Sequence, residues 1–146
     1  MDVGDRKSEM GGRRLGIMVR IAVSLLFLYA GWTKVVDVEG FARSIDGYRM
    51  LPESWIPPLA YFLPWLEIWC AAALWITPPF RPAAWWLLAG MMAVFTIAKA
   101  AAMSRGLDIS CGCTGSEDPM SWLDVGINLM WLGGSVTGLI LDKRRF

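Results

Sequence analysis

The chain has 146 residues, of which 55% are hydrophobic and 18% charged, and its formal net charge at pH 7 is +1. This length suits one domain, and the low charge content together with nine tryptophans is typical of an integral membrane protein. The small net charge gives no basic field for nucleic acid, and the lack of histidine removes the usual haem ligand, most zinc sites and the commonest general base.

Apolar segments long enough to cross about 30 Å of hydrocarbon as helices recur along the chain. We place them at residues 15–36, 59–77, 84–103 and 122–141. The first is too long for a signal peptide and lacks a small-residue cleavage site, so we interpret it as an uncleaved membrane helix. We therefore predict an all-α integral membrane four-helix bundle, with polar tails at residues 1–14, expected to be disordered, and 142–146.

The segment between the first two spans, residues 37–58, alternates apolar and charged side chains. Phe41, Ile45, Tyr48 and Leu51 recur at mixed three- and four-residue spacing, which predicts an amphipathic helix lying on the membrane interface. We expect Pro57-Pro58 to end this segment, because proline cannot donate the helical hydrogen bond.

Basic residues indicate the orientation of the bundle. The N-terminal tail, the short turn around Arg81 and the C-terminal Lys143-Arg144-Arg145 would share one side of the membrane. By the positive-inside rule both termini are cytoplasmic, in the inner membrane of a bacterium. The loop at residues 104–121 is then periplasmic, a compartment in which disulfides persist.

This loop carries Cys111-Gly112-Cys113. Cysteines at i and i+2 can approach to the Cα separation of about 4.4–6.8 Å that a disulfide needs, and the small ring would be an easily reduced oxidant. Lys99 and Arg105 are nearby cations that could favour the thiolate. Two alternatives stay open: a structural staple, or a soft-metal site for copper, zinc or mercury formed by Cys111 and Cys113.

Charged side chains within the spans are costly and point to function. Lys34, Glu67 and Lys99 fall at similar depth in the outer half, so we expect an ion pair between Glu67 and one of the lysines. The pair could serve packing alone, or the lysines could extend to the interface. In the functional alternative Glu67 relays protons while a lysine stabilises a thiolate or a quinone oxygen. Arg20, near the cytoplasmic end, is expected to extend to the interface.

Two further groups of residues have structural interpretations. Because three is an odd number of cysteines, one thiol is left over from any disulfide, and Cys70 is expected to fill apolar space within the second span. The tryptophans in two clusters could line a pocket for a planar ring, although anchoring at the interface is the expected role. These are Trp65, Trp69, Trp85 and Trp86.

Several motifs in their order resemble the MauE branch of the DoxX-like membrane proteins over about four-fifths of the chain. They are Gly31-Trp32-Thr33-Lys34, Phe41 with Tyr48-Arg49-Met50-Leu51-Pro52, Leu63-Pro64-Trp65-Leu66-Glu67 and Cys111-Gly112-Cys113-Thr114-Gly115. The resemblance implies a four-helix membrane protein that acts with a thioredoxin-like partner in maturing the disulfide-rich small subunit of methylamine dehydrogenase. Related DoxX-type proteins are linked to quinone-dependent sulfur oxidation.

On this resemblance Lys34, Glu67, Cys111 and Cys113 occupy the family's motif positions. Two residues depart from its pattern. Thr114 stands where an aromatic residue is usual, which affects partner docking or solvent access. Cys70 stands where helix two usually has a small residue, in keeping with a packing role.

The leading hypothesis is an inner-membrane thiol-disulfide redox protein. Cys111 and Cys113 would exchange disulfides with a periplasmic thioredoxin-like protein or a disulfide-bearing client, with quinone as the candidate membrane electron carrier. Glu67 would handle protons, and Lys34 and Lys99 would set the local potential. The alternatives are a soft-metal binding or transport protein and an assembly factor without chemistry.

The predicted orientation has a direct test. A membrane-impermeant maleimide should label Cys111 and Cys113 from the periplasmic side of intact spheroplasts after mild reduction, because positive charge holds both termini in the cytoplasm. Labelling is read by mass shift, with a Cys111→Ser/Cys113→Ser double variant as the control. Labelling only from the cytoplasmic face of inverted vesicles would contradict the topology.

Overall fold

The computed structural model describes residues 3–76, 78–107 and 119–143, with side chains from residue 10 onward. Within these ranges the chain is helical, and several helices are long and apolar enough to cross a membrane. The candidate spans are Met10–Val36, Glu53–Ile76, Pro78–Ser104 and Trp122–Lys143. The predicted fold class, an all-α membrane bundle of four helices, is confirmed.

We number the α-helices in chain order. They are α1 (Val3–Val36), α2 (Val38–Gly47), α3 (Ile56–Ile76), α4 (Arg81–Ser104) and α5 (Trp122–Lys143). Within the described residues, α1 packs against α3 and α5, and α4 packs against α3 and α5, while the short α2 lies against α3. The turn between α3 and α4 is short, so these two helices are antiparallel neighbours.

The beginning of α1 corrects one prediction. Residues 3–14, expected to be part of a disordered tail, continue the first membrane helix without a break. The segment extends a membrane helix that is already formed, so it needs no helix nucleus of its own. No proline interrupts it, and its arginine, lysine, glutamate and methionine residues are good helix formers that offset the poor propensity of its glycines. The polar side chains of residues 3–14 favour contact with water, but polar residues can form a helix as readily as a disordered tail.

The segment between α1 and α3 is also organised differently from the prediction. Asp37 caps α2, and its carboxylate accepts a hydrogen bond of 2.8 Å from the Gly40 backbone N–H. Pro57 and Pro58 do not end the preceding segment but lie in the first turn of α3, which begins at Ile56. Proline is tolerated there because the first helical N–H groups have no intrahelical partner. The interfacial location of α2 stays a prediction.

The packed centre of the bundle is apolar, whereas many large apolar side chains point outward. Val23, Phe27, Leu74, Trp85 and Leu88 are almost completely buried in one cluster. An outward-facing apolar surface would be unfavourable in water, but it is what the hydrocarbon of a bilayer requires. Outward-facing examples are Leu25, Trp32, Trp69, Ile76, Val94 and Leu123.

A buried polar cluster joins the helices at the end of the bundle where α3 ends and α4 begins. Arg20 of α1 forms a 2.6 Å ion pair with Asp142 of α5, whose second oxygen accepts a 2.8 Å hydrogen bond from the Trp85 indole of α4. The Arg20 guanidinium also lies 5.5 Å from the ring centroid of Trp75 on α3, and that indole donates to Ser24.

This cluster shows that the prediction for Arg20 was wrong. Arg20 is only 6% exposed, because a counter-ion on a neighbouring helix offsets the cost of its burial. Asp142 lies within α5 and not in a polar tail. Trp85, one of the tryptophans expected at the interface, is fully buried.

The absence of a side chain at Gly138 allows α5 to pack closely against α4. At Gly138 of α5 an added Cβ would collide with the six-membered ring of Trp85. That ring cannot move aside readily, because it is fully buried and its indole N–H is bound to Asp142. Close approach through small residues is a common way for helices to associate in membranes.

The contact at Gly138 yields a stability prediction. Gly138→Ala should lower the free energy of unfolding by about 1–3 kcal/mol, since the extra methyl group overpacks a fixed contact. The measurement is the thermal unfolding midpoint in detergent. The matched control is Gly133→Ala on the same helix, where an added Cβ meets nothing within 4 Å. Equal midpoints for the two variants would show that the contact does not constrain the bundle.

Candidate functional site

A buried ion pair lies between α1 and α3. The Lys34 ammonium donates to Glu67 Oε1 at 2.6 Å, and the two residues are 3% and 1% exposed. The expectation that Glu67 pairs with one of the lysines is thereby confirmed, and the partner is Lys34. Their assignment as reacting groups stays a prediction.

The local sequence explains why these helices come so close. A Cβ at Gly31, one helical turn before Lys34, would lie 2.7 Å from Ile68 Cγ1 and 2.9 Å from the Pro64 carbonyl oxygen. Only glycine therefore fits at this crossing without a shift of α3. The close approach places the Lys34 side chain within reach of Glu67, one helical turn after Pro64.

Aromatic rings from two further helices surround the ammonium group. Lys34 Nζ lies 5.1 Å from the ring centroid of Phe41 on α2 and 5.1 Å from that of Phe95 on α4. Attraction between a cation and an aromatic face grows when water is excluded, as it is here. The charge on α1 is thus stabilised by a carboxylate on α3 and by rings on α2 and α4.

The second oxygen of Glu67 has a different environment. Oε2 is buried and accepts no hydrogen bond from the described residues. A buried carboxylate oxygen without a donor is energetically costly, and it gains stability when it receives a proton or a hydrogen bond. Glu67 can therefore anchor Lys34 through one oxygen and accept a proton on the other.

The second predicted lysine has a separate partner. Lys99 of α4 is 2% exposed and donates to Asn128 Oδ1 of α5 at 3.2 Å. Asp124, about one helical turn before Asn128, adds a negative charge that interacts with the ammonium. Asn128 Nδ2 is buried and has no acceptor among the described residues. The structure thus assigns the two lysines to different helix pairs.

A cavity of about 590 Å³ opens beside the ion pair, between α2, α3 and α4. Its described lining is almost entirely apolar, and Lys34 is the one charged residue in it. Trp86 contributes to the wall, whereas Trp65 and Trp69 do not. Of the two expectations for the tryptophans, pocket lining therefore holds for Trp86. Trp65 and Trp69 are exposed on the outer surface of the bundle.

The cysteines divide into one that is described and two that are not. Cys70 is a free thiol, 5% exposed, within the apolar cluster, as a packing role predicts. Cys111 and Cys113 lie outside the described residues, so their pairing and any metal binding stay predictions. Among the described residues there is no cluster of three or more cysteine, aspartate or glutamate side chains that could hold a metal ion.

The described residues just before the cysteine motif are tied to α2. Arg105, immediately after α4, donates through Nη2 to the Tyr48 carbonyl oxygen at 2.5 Å and through Nε to the Ala101 carbonyl oxygen at 3.2 Å. Arg105 was a candidate cation for the thiolates, and here it binds carbonyl groups. This contact fixes the end of α4 relative to the end of α2, next to the cavity.

Sequence reasoning missed several of the residues that build this site. The sequence pattern places Phe41 on the apolar face of an amphipathic segment, and it gives Phe95 and Asn128 no role beyond lying within predicted spans. One signal was available for Asn128: a polar amide within a span needs a partner, and Lys99 was the nearest candidate in depth. No periodicity in the sequence singles out Phe95 among the apolar residues of α4.

Three known proteins that are similar to this chain belong to one family. The family model described as Methylamine utilisation protein MauE matches residues 13–141. The methylamine utilization protein MauE of Paracoccus denitrificans is 37% identical over 115 residues, which cover 77% of this chain and 61% of that protein. The protein of the same name from Methylophilus methylotrophus is 32% identical over 116 residues, 79% of this chain and 60% of the relative.

A third relative, the methylamine utilization protein MauE of Methylorubrum extorquens, is 38% identical over 113 residues, 75% of this chain and 60% of the relative. The chain thus spans about 60% of the length of these relatives. No solved structure matches the chain significantly.

The buried pair yields a prediction of energetic coupling. Lys34→Met and Glu67→Leu should each lower the free energy of unfolding by about 3–5 kcal/mol, because each leaves an uncompensated buried charge. The double variant should lose much less than the sum of the two, which chemical denaturation in detergent can measure. Glu53→Gln, at an exposed position, is the control and should change stability by less than about 0.5 kcal/mol. Additive losses would show that the two groups are not coupled.

Proposed function

Because the chain belongs to the MauE family of methylamine utilisation proteins, we propose that it is a membrane-embedded thiol-disulfide exchange protein supporting the maturation of a disulfide-bearing periplasmic client. The client class is the small subunit of methylamine dehydrogenase, and the direct partner is that client or a thioredoxin-like protein. The observation that carries the proposal is the buried Lys34–Glu67 pair, whose second carboxylate oxygen has no donor among the residues that the structure describes.

The buried pair supports chemistry in preference to simple anchoring. An ion pair sunk in an apolar bundle contributes little net stability compared with apolar side chains of similar size. The second carboxylate oxygen of Glu67, which has no hydrogen-bond donor in the described part of the chain, adds a further cost. Groups that are costly within a membrane are characteristic of proton and electron pathways. A role for Glu67 in taking up and releasing protons would explain why a buried pair with this energetic cost is present.

The proposed exchange transfers a disulfide from this chain to the partner. A thiolate of the partner attacks the Cys111–Cys113 disulfide, a mixed disulfide forms, and one cysteine of this chain leaves as a thiolate. The second thiolate of the partner then attacks the mixed disulfide. The partner gains a disulfide, and Cys111 and Cys113 become a dithiol. Reoxidation of that dithiol releases two electrons and two protons, for which a membrane quinone is the proposed acceptor.

The buried groups have separate roles on this proposal. Glu67 accepts a proton on Oε2 while Oε1 stays bound to Lys34. Lys34 stabilises negative charge that develops on a group in the adjacent cavity. Lys99, whose ammonium interacts with Asn128 and with the carboxylate of Asp124, is the cation proposed to act at the end of α4 from which the cysteine segment departs.

The proposed setting is the bacterial inner membrane with both termini in the cytoplasm. Lys99 and Asn128 lie near the ends of α4 and α5 that flank the cysteine segment, and the Arg20–Asp142 cluster lies toward the opposite end. The cysteine segment would then meet periplasmic partners directly. Its oxidised form would be sustained by that compartment.

Disulfide trapping tests the proposal. With Cys113 replaced by serine, the Cys111 thiolate can still attack the disulfide of an oxidised partner, which is the reverse of the exchange step. No second motif thiol can then resolve the mixed disulfide, so a complex with a periplasmic protein should accumulate and disappear on reduction. Non-reducing electrophoresis followed by mass spectrometry identifies the partner. Cys111→Ser tests the reciprocal arrangement.

Cys70→Ser is the matched control. Because Cys70 is buried in the apolar cluster, adding this change to the Cys113→Ser variant should leave the trapped complex intact. If neither motif variant forms a mixed disulfide in cells that express the partner genes, the exchange proposal fails. Copper(I) or mercury(II) binding that depends on both motif cysteines would then favour the soft-metal alternative.

A further inference from the structure

The cavity beside the ion pair has the chemistry of a ligand site. Its volume of about 590 Å³ lies within the range of about 300–1,000 Å³ that small-molecule sites occupy. Such sites combine apolar walls with few polar groups that fix orientation. Here the charged group is Lys34, and the other polar lining residues are Ser44 and Tyr48 of the α2 region.

The charge around the cavity restricts the ligand. Lys34 is already paired with Glu67 at 2.6 Å, so the wall carries little net charge. A second anion beside Glu67 would be repelled, and a cation would meet Lys34. A neutral ligand is repelled by neither Glu67 nor Lys34. If it carries an oxygen acceptor, it can also bind Lys34, because an ammonium group has three N–H donors and the contact with Glu67 uses one.

The aromatic rings add a preference for a flat group. Phe41 and Phe95 flank the Lys34 ammonium at 5.1 Å each, and Trp86 and Tyr48 complete an aromatic lining. Aromatic side chains favour offset or edge-to-face contact with another ring. A ring whose carbonyl oxygen lies at Lys34 would meet these faces at the same time.

The outer wall indicates how such a ligand would enter. Trp86, Val94 and Ile97 line the cavity and are also more than 60% exposed on the surface of α4. This surface belongs to a candidate membrane span, so the cavity opens toward lipid. A ligand with a long apolar tail could remain partly in the bilayer while its ring occupies the cavity.

From these observations we infer that the cavity between α2, α3 and α4 binds the ring of a neutral quinone-type lipid, with one carbonyl oxygen accepting a hydrogen bond from Lys34. This inference rests on the proposed function, for which it supplies the location of the electron acceptor. A phospholipid fits less well, because its charged phosphate would meet a lysine that is already neutralised, and its ester carbonyl groups belong to flexible chains and not to a flat ring that the aromatic walls could contact.

Gly90 of α4 allows the cavity to be filled without disturbing the bundle. It lines the cavity, and a Cβ added there meets nothing within 4 Å. Gly90→Leu should therefore occupy the space where the ring would lie. Gly133→Leu on α5 is the matched control, since Gly133 is also helical and open but does not line the cavity.

The experiment is a titration of full-length protein in phosphatidylcholine nanodiscs with decylubiquinone, followed by quenching of tryptophan fluorescence. Binding should be saturable. Gly90→Leu should weaken it by about tenfold or more, equivalent to about 1.4 kcal/mol, with Gly90→Ala intermediate and Gly133→Leu within about twofold of the unmodified chain. Decylbenzene, which has the same tail but no carbonyl group, should bind at least about tenfold more weakly because it cannot accept from Lys34.

The result is separable from the proposed exchange reaction. A Cys111→Ser/Cys113→Ser variant should bind decylubiquinone unchanged, so the cavity can be tested whether or not mixed disulfides form. Non-saturable quenching, equal affinity for decylbenzene, or equal affinity of the Gly90→Leu and Gly133→Leu variants would overturn the inference. The cavity would then be a place for lipid chains or for another part of the protein.

Discussion

The ion pair between Lys34 and Glu67 is the contact on which the half of the bundle nearest α2 depends. Neither charge is stable alone in this environment, so α1 and α3 must remain together for either to be buried. Gly31 makes their approach sterically feasible. Phe41 and Phe95 then connect the ammonium to α2 and α4, so one side chain contacts groups from three other helices.

A second polar cluster has the corresponding role toward the other end, where Arg20, Asp142 and Trp85 connect α1, α5 and α4. Apolar burial gives little drive for association between helices that already lie in hydrocarbon, so close packing and polar contacts carry more of the specificity. The cluster at Arg20 uses both oxygens of its carboxylate. The carboxylate of Glu67 has one oxygen without a donor among the described residues, whereas in the Arg20 cluster the atom without a partner is the guanidinium Nε. An acceptor oxygen can take up a proton and a guanidinium N–H cannot, so Glu67 is the candidate for proton chemistry.

The amino-acid sequence predicts the spans well because hydrocarbon thickness imposes a length and a composition on each of them. It also predicts a partner for Glu67, since buried charges need counter-ions. It does not predict which lysine is the partner, because Lys34 and Lys99 lie at similar depth and the choice depends on how the helices are rotated. The prediction for Arg20 fails for a related reason: its counter-ion, Asp142, lies just beyond the predicted end of the fourth span, so the sequence indicates no partner for a buried Arg20.

The proximity of Lys34, Glu67 and the cavity has a chemical consequence for the proposed electron transfer. Reduction of a quinone carbonyl places negative charge on its oxygen, and an adjacent ammonium would stabilise that charge strongly in an apolar site. While Glu67 is ionised it competes for the same ammonium. Protonation of Glu67 on Oε2 would remove its negative charge, so the Lys34 ammonium, still bound to Oε1, would act more strongly on the quinone oxygen. Proton uptake and electron acceptance would then favour one another. A lysine without a paired carboxylate would provide a constant field, whereas this pair provides one that depends on the proton.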